Sequence, residues 1–426
     1  MKTIAIVGAG ISGLTAAYLL SKKHQVQVFE QAPVIGGHTA TVDIELAGRR
    51  YAIDTGFIVF NDKTYPNFLA LLAELGVGRQ PTEMSFSVKN SLTGLEYNGH
   101  SLSTLFAQKR NWLNPKFWGL LSEILRFNRL CKALYQGPSL EESATLGSFL
   151  QQQGFSRFFA QNYILPMGAA IWSSSLTAME LFPLQFFIRF FHNHGLLNVT
   201  DRPQWYVIPQ GSRSYLGPLT QPFADRIQCN ADIRQIVRES DKVRLCFADG
   251  SEQSFDELVL ACHSDQALAM LADASAEEQR ILSALQYSPN QVVLHTDESL
   301  LPKRRKAWAS WNYQLGADPD RPACVTYNMN ILQGIESEHT FCVTLNQTEQ
   351  IAPEKILRRF VYHHPVYSVQ SLAAAQQRAQ ICGQRHTHFA GAYWYNGFHE
   401  DGVRSALDVA QRFDCDLAAA GPAGHG

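Results

Sequence analysis

The chain opens with a short, uninterrupted run of apolar residues at 4–7, which is typical of a parallel strand buried on both faces. A glycine-rich turn follows at residues 8–13, and the small and apolar residues from 14 to 20 predict a helix. A second apolar run at 26–29 predicts another strand, which ends at Glu30. This order within roughly 30 residues predicts the opening βαβ unit of an α/β protein.

The turn between these two strands has the pattern Gly-x-Gly-x-x-Gly, and its glycines have separate tasks. Gly8 makes a tight turn, Gly10 lets the backbone approach a pyrophosphate, and Gly13 lets the helix pack on the strand. The helix N-terminus offers free N–H groups to the phosphates, and Glu30 is placed to accept hydrogen bonds from the adenosine ribose. The predicted dinucleotide contacts are Gly8, Gly10, Ile11, Ser12, Gly13, Glu30 and Gln31.

The middle of the chain switches between helical and strand patterns. Helices are predicted over 65–75, 115–136 and 180–197, and strands over 233–238, 243–247, 255–262, 291–295, 323–329 and 340–345. The helix at 115–136 begins with Pro115, a residue suited to a first helical turn. Asp249-Gly250 predicts a hairpin-type turn after the strand at 243–247.

Composition narrows the class of protein. The chain has 426 residues, 46% of them hydrophobic, which predicts two or three domains with real cores. A net charge of −2 gives no global attraction to nucleic acid, so no nucleic-acid partner is expected. The eight cysteines are scattered without a CxxC pair, which predicts reduced cytoplasmic thiols and no metal site. No apolar stretch is long enough for a transmembrane helix, and no signal peptide is expected because the first apolar run is short and predicts a strand.

A second glycine pair follows the βαβ unit, and residues 36–41 have the sequence GGHTAT. This segment resembles the GG-x-x-x-[ST] motif of the flavin amine oxidase superfamily, which includes protoporphyrinogen oxidases and phytoene desaturases. The resemblance implies FAD as the cofactor and assigns Gly36, Gly37, His38 and Thr39 to its site. His38 stands where most members have the arginine that contacts the pyrophosphate.

Two later segments are also similar to this superfamily. Residues 228–262 resemble its second FAD segment, which implies that Ile233 contacts the adenine, and residues 209–216 resemble the entry into that segment. Residues 388–407 resemble its closing flavin motif, in which a strand ends at Gly391 and a helix begins near Gly402. On this match the N–H of Val403 faces the flavin, and the helix dipole stabilises its reduced form. Ala392 replaces the acid that usually holds the ribityl chain, so we consider Glu400 and Asp401 as replacements.

The three segments imply a discontinuous Rossmann-type FAD domain of the glutathione-reductase-like kind. It is predicted to comprise residues 1–60, 205–265 and 385–415, and an α+β substrate domain with a helical insertion takes residues 61–204 and 266–384. Residues 416–426 are predicted to be a disordered tail. No second GxGxxG follows a strand, so the flavin is expected to be reduced by substrate and reoxidised by oxygen, a quinone or a carrier, which the sequence does not identify.

The helical insertion allows two interpretations. Residues 115–136 mix lysines and arginines with aromatic and aliphatic residues, and residues 180–197 are rich in phenylalanine. These helices either cap the substrate domain and bury their aromatic residues, or they form an apolar funnel with a basic rim for a lipid. The second interpretation predicts peripheral contact with the inner membrane surface.

A narrower resemblance favours a lipid substrate. Residues 54–61, 64–67, 308–313, 364–367 and 397–402 are similar to bacterial predicted NAD/FAD-binding oxidoreductases related to amine oxidases. Some members of that branch resemble fatty-acyl desaturases of furan fatty acid formation. The resemblance implies a desaturase or dehydrogenase that transfers a hydride from an acyl chain to flavin while a base removes the neighbouring proton.

The candidate bases are His399 and Glu400, and the alternative is that they cap the closing helix. The predicted substrate pocket comprises Asn61, Tyr65, Tyr393 and Tyr395. An amine oxidase is a rival function, although residues 286–297 contain no lysine of the kind many such enzymes place near the flavin. A flavin-binding redox sensor or accessory protein without catalytic activity is the other alternative.

Overall fold

Five parallel strands form the sheet beside the glycine turn. In this computed structural model, which describes residues 1–137, 141 and 143–418, all three predicted FAD segments contribute to that sheet. Its strands are, in spatial order, Ile227–Gln228, Gln25–Phe29, Thr3–Val7, Glu257–Leu260 and Thr387–Phe389. The central strand is fully buried at Ile4, Ala5 and Ile6, as the apolar run predicts. The first helix, Ile11–Ser21, follows directly from the glycine turn.

The predicted strand at 255–262 is wrong in its extent, because two separate strands occupy this stretch. Glu252–Phe255 pairs with an antiparallel sheet, whereas Glu257–Leu260 enters the parallel sheet. The chain changes sheets at Asp256, whose carboxylate accepts a hydrogen bond from the backbone N–H of Thr3 at 2.7 Å. The break thus falls at the two acidic residues Asp256 and Glu257, and the contact of Asp256 with the first strand fixes it there.

Three smaller sheets surround the parallel one. Their strands are Ile233–Arg238, Val243–Phe247 and Glu252–Phe255; Thr41–Leu46 and Arg49–Asp54; and Phe60–Asn61, Trp205–Val207 and Gln80–Thr82. The last of these joins the beginning and the end of the helical insertion.

A seven-stranded sheet forms the floor of the substrate part. Its spatial order is Ile356–Pro365, Tyr287–His295, Cys342–Leu345, Val325–Asn328, Trp311–Leu315, Phe86–Asn90 and Glu96–Asn98. The strands predicted at 291–295, 323–329 and 340–345 are confirmed with shifted ends. Both insertions contribute to this sheet, since Phe86–Asn90 pairs in parallel with Trp311–Leu315.

The first insertion is mainly helical, as predicted. Its helices are Pro66–Glu74, Leu102–Leu105, Pro115–Gln136, Leu146–Gln152, Arg157–Phe159, Leu165–Trp172, Leu176–Glu180 and Leu184–Asn193. The helix predicted at 115–136 is confirmed with the same first and last residues. Pro115 starts it, and the Asn114 side chain caps it by accepting a hydrogen bond from the backbone N–H of Lys116. The remaining helices are Leu216–Thr220, Ser264–Met270, Ala276–Ser283, Met329–Gln333, Val369–Ala375, Arg378–Ile381 and His399–Gln411.

The domain boundaries need a correction, because parts of both insertions pack on the FAD core. Leu271 and Ile281, from the stretch assigned to the substrate domain, share one buried cluster with Ile4 and Ile6. Ile381 joins the same cluster, and so do the buried residues of the helix Pro66–Glu74. The FAD part therefore extends beyond the predicted segments at three of their four junctions, after residues 60 and 265 and before residue 385.

The predicted tail is partly ordered. Leu417 is buried, and the backbone N–H of Ala418 donates to the carboxylate of Glu74 at 2.8 Å. Residues 419–426 lie outside the described part of the chain. None of the helices that the structure describes has both the length and the apolar character needed to cross a membrane.

Candidate functional site

A continuous cavity of about 970 Å³ connects the glycine turn with the helices of the first insertion. Its nucleotide end is lined by Gly8, Gly10, Ile11, Ser12, Glu30, Gln31 and Ile233. Its far end is lined by apolar helical residues, among them Leu121, Ile124, Met167, Ile171 and Phe190. The glycine turn and the helices of the first insertion thus line two ends of one space.

The glycines of the turn differ in the space around them. A Cβ on Gly13 would lie 1.9 Å from the carbonyl oxygen of Gly8, so the first helix contacts the strand end without room for a side chain. A Cβ on Gly10 would meet no protein atom within 4 Å, because it points into the cavity. Gly10 leaves space for a ligand, whereas Gly13 leaves space for the protein itself.

The second glycine pair lies against the first turn. Gly36 and Gly37 have φ angles of +118° and +56°, and the N–H of Gly36 donates to the carbonyl of Ala9 at 2.8 Å. A Cβ on Gly37 would lie 3.2 Å from the Cα of Gly10. The two turns together form a cradle of small residues at the cavity wall, and a pyrophosphate fits such a cradle.

His38 is half-buried in the cavity wall, and its buried Nε2 has no hydrogen-bond partner within the described residues. Its ring centroid lies 5.2 Å from that of Tyr362 and 5.6 Å from that of His364. Burial lowers the pKa of His38 to about 3, so the ring is neutral at physiological pH. An unsatisfied ring nitrogen at this place fits a contact to a bound cofactor, made by a neutral side chain instead of an arginine.

The closing helix begins at His399, one turn earlier than predicted. Gly402 donates its N–H to the carbonyl of Phe398, so Val403 lies in the second turn and not at the free end. The predicted donor role of Val403 is therefore corrected: the backbone N–H groups of the first turn belong to His399, Glu400 and Asp401. A Cβ on Gly402 would lie 2.6 Å from Ile11, which explains the glycine as the point where two helices touch.

Comparison with known proteins decides the family. Residues 11–413 match the model of the flavin-containing amine oxidoreductases. The chain belongs to this family. The predictions of the superfamily, of the α/β fold class and of FAD as cofactor are confirmed.

Solved structures show that this family fold extends over nearly the whole chain. The protein is similar to cyclohexylamine oxidase from Brevibacterium oxydans IH-35A, with 14% identity and a TM-score of 0.68 over 97% of this chain and 99% of that one. It is also similar to the CLA-producing fatty acid isomerase from P. acnes, with 17% identity and a TM-score of 0.66 over 96% and 98%.

A curated relative covers much less. An uncharacterized protein of Methanocaldococcus jannaschii is 52% identical over 42 residues, which make up 10% of this chain and 11% of that protein. The match therefore spans about a tenth of the relative's length and does not identify a substrate.

At the adenosine end of the family's FAD site, Glu30 and Ile233 both line the cavity. The Glu30 carboxylate accepts hydrogen bonds from the N–H groups of Ala9 and Ala32, each at 2.8 Å. These contacts hold the carboxylate at the strand end and leave it acceptor capacity for ribose hydroxyls. At the flavin end, Gly391 and Ala392 also line the cavity.

Glu400 does not reach the cavity, and it caps a different helix from the closing helix that the capping alternative names. Its carboxylate accepts from the N–H of Asn67 at 3.1 Å, from the Asn67 side chain at 2.6 Å and from the N–H of Phe68 at 2.8 Å. It therefore caps the helix Pro66–Glu74 across the domain. Asp401 is also turned inward, where it accepts from the N–H of Phe398 at 2.9 Å. Neither acid is placed to hold a ribityl chain.

His399 lies in the cavity wall, but its Nε2 is bonded within the protein. It is 2.8 Å from the hydroxyl of Tyr215 and 3.2 Å from that of Thr39. Its ring stacks on Phe57 with centroids 3.6 Å apart, and burial lowers the pKa of His399 well below its ordinary value. Thr39 thus serves this internal network, and the role of His399 as a base stays a prediction.

The four predicted pocket residues separate into two pairs. Tyr65 and Tyr393 line the cavity. Asn61 does not, because its side-chain oxygen accepts from the N–H groups of Lys63 and Thr64 and holds a turn. Tyr395 does not either, because its hydroxyl donates to Asp408 at 2.5 Å. The predictions for Asn61 and Tyr395 are therefore wrong.

Three further histidines belong to the site: His263, His363 and His364. Burial lowers the pKa of His263, and it lowers that of His364 to about 4, so both are neutral imidazoles. His364 Nδ1 lies 2.9 Å from the hydroxyl of Ser173. His263 was missed in the sequence analysis. Its signal is its place just after a central parallel strand, where ligands of such sheets bind. Among the described residues, no cluster of histidine, cysteine and acidic side chains has the arrangement of a metal site.

The cap assignment of Glu400 gives a direct prediction. Replacing Glu400 with glutamine should lower the free energy of unfolding by about 1–2 kcal/mol, because one of the bonds to Asn67 and Phe68 is lost. The rate of anaerobic flavin reduction should stay within about twofold, whereas loss of a general base costs on the order of 10²-fold or more. Ser275→Ala, which removes the cap of the remote helix Ala276–Ser283, is the matched control.

The same variant should also change the pH dependence of stability. Burial raises the pKa of Glu400 to about 7, well above the 4.5 of an exposed glutamate. The wild-type stability from this group therefore falls as pH rises from about 4.5 to 7, because ionisation is costlier in the folded state. Unfolding of E400Q measured across this range should lack that contribution, and an unchanged pH profile would contradict the assignment.

Proposed function

We propose that this protein is an FAD-dependent desaturase or dehydrogenase that oxidises the apolar chain of a fatty-acyl or phospholipid substrate. The observation that carries the proposal is the apolar arm of the cavity, which leads away from the flavin site between the helices of the first insertion. The fold is shared by an amine oxidase and a fatty acid isomerase, so it does not select the substrate. The choice of substrate therefore depends on the residues that line the cavity.

The apolar arm has the shape and chemistry of a site for a chain. Tyr163, Met167 and Ile171 recur at every fourth position along consecutive helical turns, and all three line the cavity. Their side chains are only partly buried although they lie inside the domain, because they face this space. Leu121 and Ile124 of the long helix line the same arm. Such a wall makes favourable apolar contacts with an alkyl chain but has few hydrogen-bonding groups for a polar substrate.

The charges of the lining argue against an amine. Among the described residues that line the cavity, the only acidic one is Glu30, and it lies at the adenosine end. A carboxylate partner for an ammonium group is therefore missing from the described lining near the flavin end. Arg202, in the lining together with Val199, supplies a positive charge that suits the carboxylate or phosphate of a lipid.

The chemistry follows from these placements. When bound, FAD supplies a two-electron acceptor that takes a hydride from one carbon of the chain. The second hydrogen leaves the neighbouring carbon as a proton, and its electron pair becomes the new C=C bond. The histidine side chains at the cavity wall, His263, His363, His364 and His399, are the candidate groups to receive that proton. The aromatic and aliphatic wall excludes water from the reacting carbons.

The test is anaerobic reduction of the purified flavoprotein by phospholipids, free fatty acids and amines. We expect lipids to bleach the flavin and amines to leave it oxidised. Ile171→Trp should weaken binding of a long acyl chain about tenfold by filling the arm, with less effect on a short chain. Leu176→Trp, which lies in the same apolar cluster but outside the cavity lining, is the control.

Two results would overturn the proposal. Bleaching by amines with release of peroxide, and none by lipids, would assign the protein as an amine oxidase. A flavin that no member of the panel reduces would favour a redox or accessory role.

A further inference from the structure

The surface formed by residues 102–125 exposes large apolar side chains close together, and we call it the apolar–basic surface. Leu113 is 89% exposed, Leu102 is 76% exposed and Leu125 is 58% exposed. Trp112 and Trp118 are exposed as well. Soluble proteins rarely expose so many large apolar side chains on one face. A patch of this kind marks a site of interaction with a protein or a membrane.

The two tryptophans are held rigidly. The ring of Trp112 stacks on the buried Phe106 with centroids 3.8 Å apart, and Trp118 lies 5.3 Å from the same ring. The indole N–H of Trp118 donates to the carbonyl of Trp112 at 3.0 Å. These contacts support the two side chains at the surface, where about half of each remains exposed, and amphipathic tryptophan rings suit a membrane interface.

The same surface is basic. Between Glu96 and Glu123 the sequence has no acidic residue, but it has exposed Lys109, Arg110 and Lys116. In the described part of the chain none of these three cations is in an ion pair with a carboxylate. A surface with this charge is complementary to anionic headgroups.

A second basic stretch, residues 303–306, lies beside this surface. The backbone N–H groups of Lys303 and Arg304 donate to the buried carboxylate of Glu96 at 2.9 and 3.1 Å. Glu96 begins the edge strand that leads into residue 102, so the exposed basic run borders the apolar–basic surface. Local positive charge thus builds up here although the net charge of the chain is −2.

The cavity opens on this surface. Leu102 and Leu125 are strongly exposed and also line the cavity, so they mark its mouth. Val199 has both properties as well. Apolar groups that line a mouth and extend onto an apolar exterior give an acyl chain a continuous path from a hydrocarbon phase to the flavin.

We propose that the apolar–basic surface docks on an anionic phospholipid bilayer, with Trp112, Leu113 and Trp118 in the interface and Lys109, Arg110 and Lys116 at the headgroups. The cavity mouth then faces the acyl chains. Docking stands on the surface itself, and only the access route for substrate rests on the proposed function. A protein partner would not require the mouth of an apolar cavity to lie within the covered area, which is why the bilayer is the favoured occupant.

The test is co-sedimentation of the holoprotein with vesicles of phosphatidylcholine, with and without phosphatidylglycerol. Binding should require the anionic lipid and weaken as salt rises. Leu113→Glu and Lys109→Glu should each weaken binding, the former by about tenfold because an inserted leucine is lost. Val361→Glu and Arg359→Glu are matched exposed controls on the strand at the opposite edge of the seven-stranded sheet, and they should bind as the wild type does.

The outcomes separate docking from catalysis. Binding that is absent, or that the two surface variants leave unchanged, would overturn the docking proposal. A protein partner for this surface would then be the alternative. Flavin reduction by a dispersed short-chain lipid, measured without vesicles, reports on the proposed function independently. Vesicle binding without such reduction would keep the docking surface and remove the desaturase proposal.

Discussion

Replacing Gly13 with alanine is expected to prevent formation of a stable, flavin-containing protein. The added Cβ would lie 1.9 Å from the carbonyl oxygen of Gly8 and 3.0 Å from its carbonyl carbon, and both are backbone atoms that cannot rotate away. The first helix would have to move off the central strand, which also displaces the N–H groups that face the pyrophosphate. Overpacking of this kind costs about 3 kcal/mol or more when backbone must shift.

Gly10→Ala is the matched variant, since it adds the same methyl group three residues away. Its Cβ meets no protein atom within 4 Å, so the protein should fold with nearly the wild-type melting temperature. The methyl group instead occupies space at the cavity wall where the cofactor lies, so FAD affinity should fall roughly tenfold or more.

These two variants are compared by circular dichroism, thermal unfolding and the amount of FAD retained after purification. A Gly13→Ala protein with normal stability and full flavin content would contradict the close contact between helix and strand. A Gly10→Ala protein with unchanged FAD affinity would contradict the assignment of the turn as the pyrophosphate site.

Replacing Arg238 with methionine is expected to lower the free energy of unfolding by about 3–5 kcal/mol. Its guanidinium is fully buried and bonds both carboxylate oxygens of Glu278, and its Nε donates to Asp273 at 2.9 Å. Arg385, from the third FAD segment, pairs with the same Asp273. Loss of Arg238 leaves the Glu278 charge buried without its partner, which is the costly part.

The double variant Arg238→Met with Glu278→Leu tests that reason. It removes both buried charges, so it should recover roughly 2 kcal/mol relative to Arg238→Met, although the cap that Glu278 shares with Ser275 is lost. Urea unfolding of the wild type, both single variants and the double variant gives the coupling energy. A double variant less stable than Arg238→Met would show that the buried charge is not the main cost.

Elements with local causes could be predicted from the sequence. The strand, glycine turn, first helix and second strand follow from patterns within the first thirty residues, because apolar runs and glycines act on their own neighbourhood. The helix Pro115–Gln136 is another such element, with a proline at its start and a side-chain cap before it. The family and FAD were also within reach, since their motifs are short and keep their order along the chain.

The roles of single polar residues near the flavin were decided by partners distant in sequence. From the sequence, Glu400 was a candidate base or a cap of its own helix, until the structure placed it on Asn67 and Phe68, more than 330 positions away. Asn61 and Tyr395 are polar residues beside the right motifs, but turn and helix contacts occupy their side chains. A sequence pattern does not show which way such a side chain points.

What the sequence by itself determined, then, is the kind of protein: a dinucleotide fold, FAD and a flavin oxidoreductase family, all carried by contiguous motifs. The tertiary structure decided which residues line the cavity. His38, His263 and His364 come together there from three separate strands and turns. It also decided where the FAD part ends, because helices from both insertions bury their apolar faces on the first core. Burial and hydrogen bonding depend on neighbours in space, and only the folded chain brings those neighbours together.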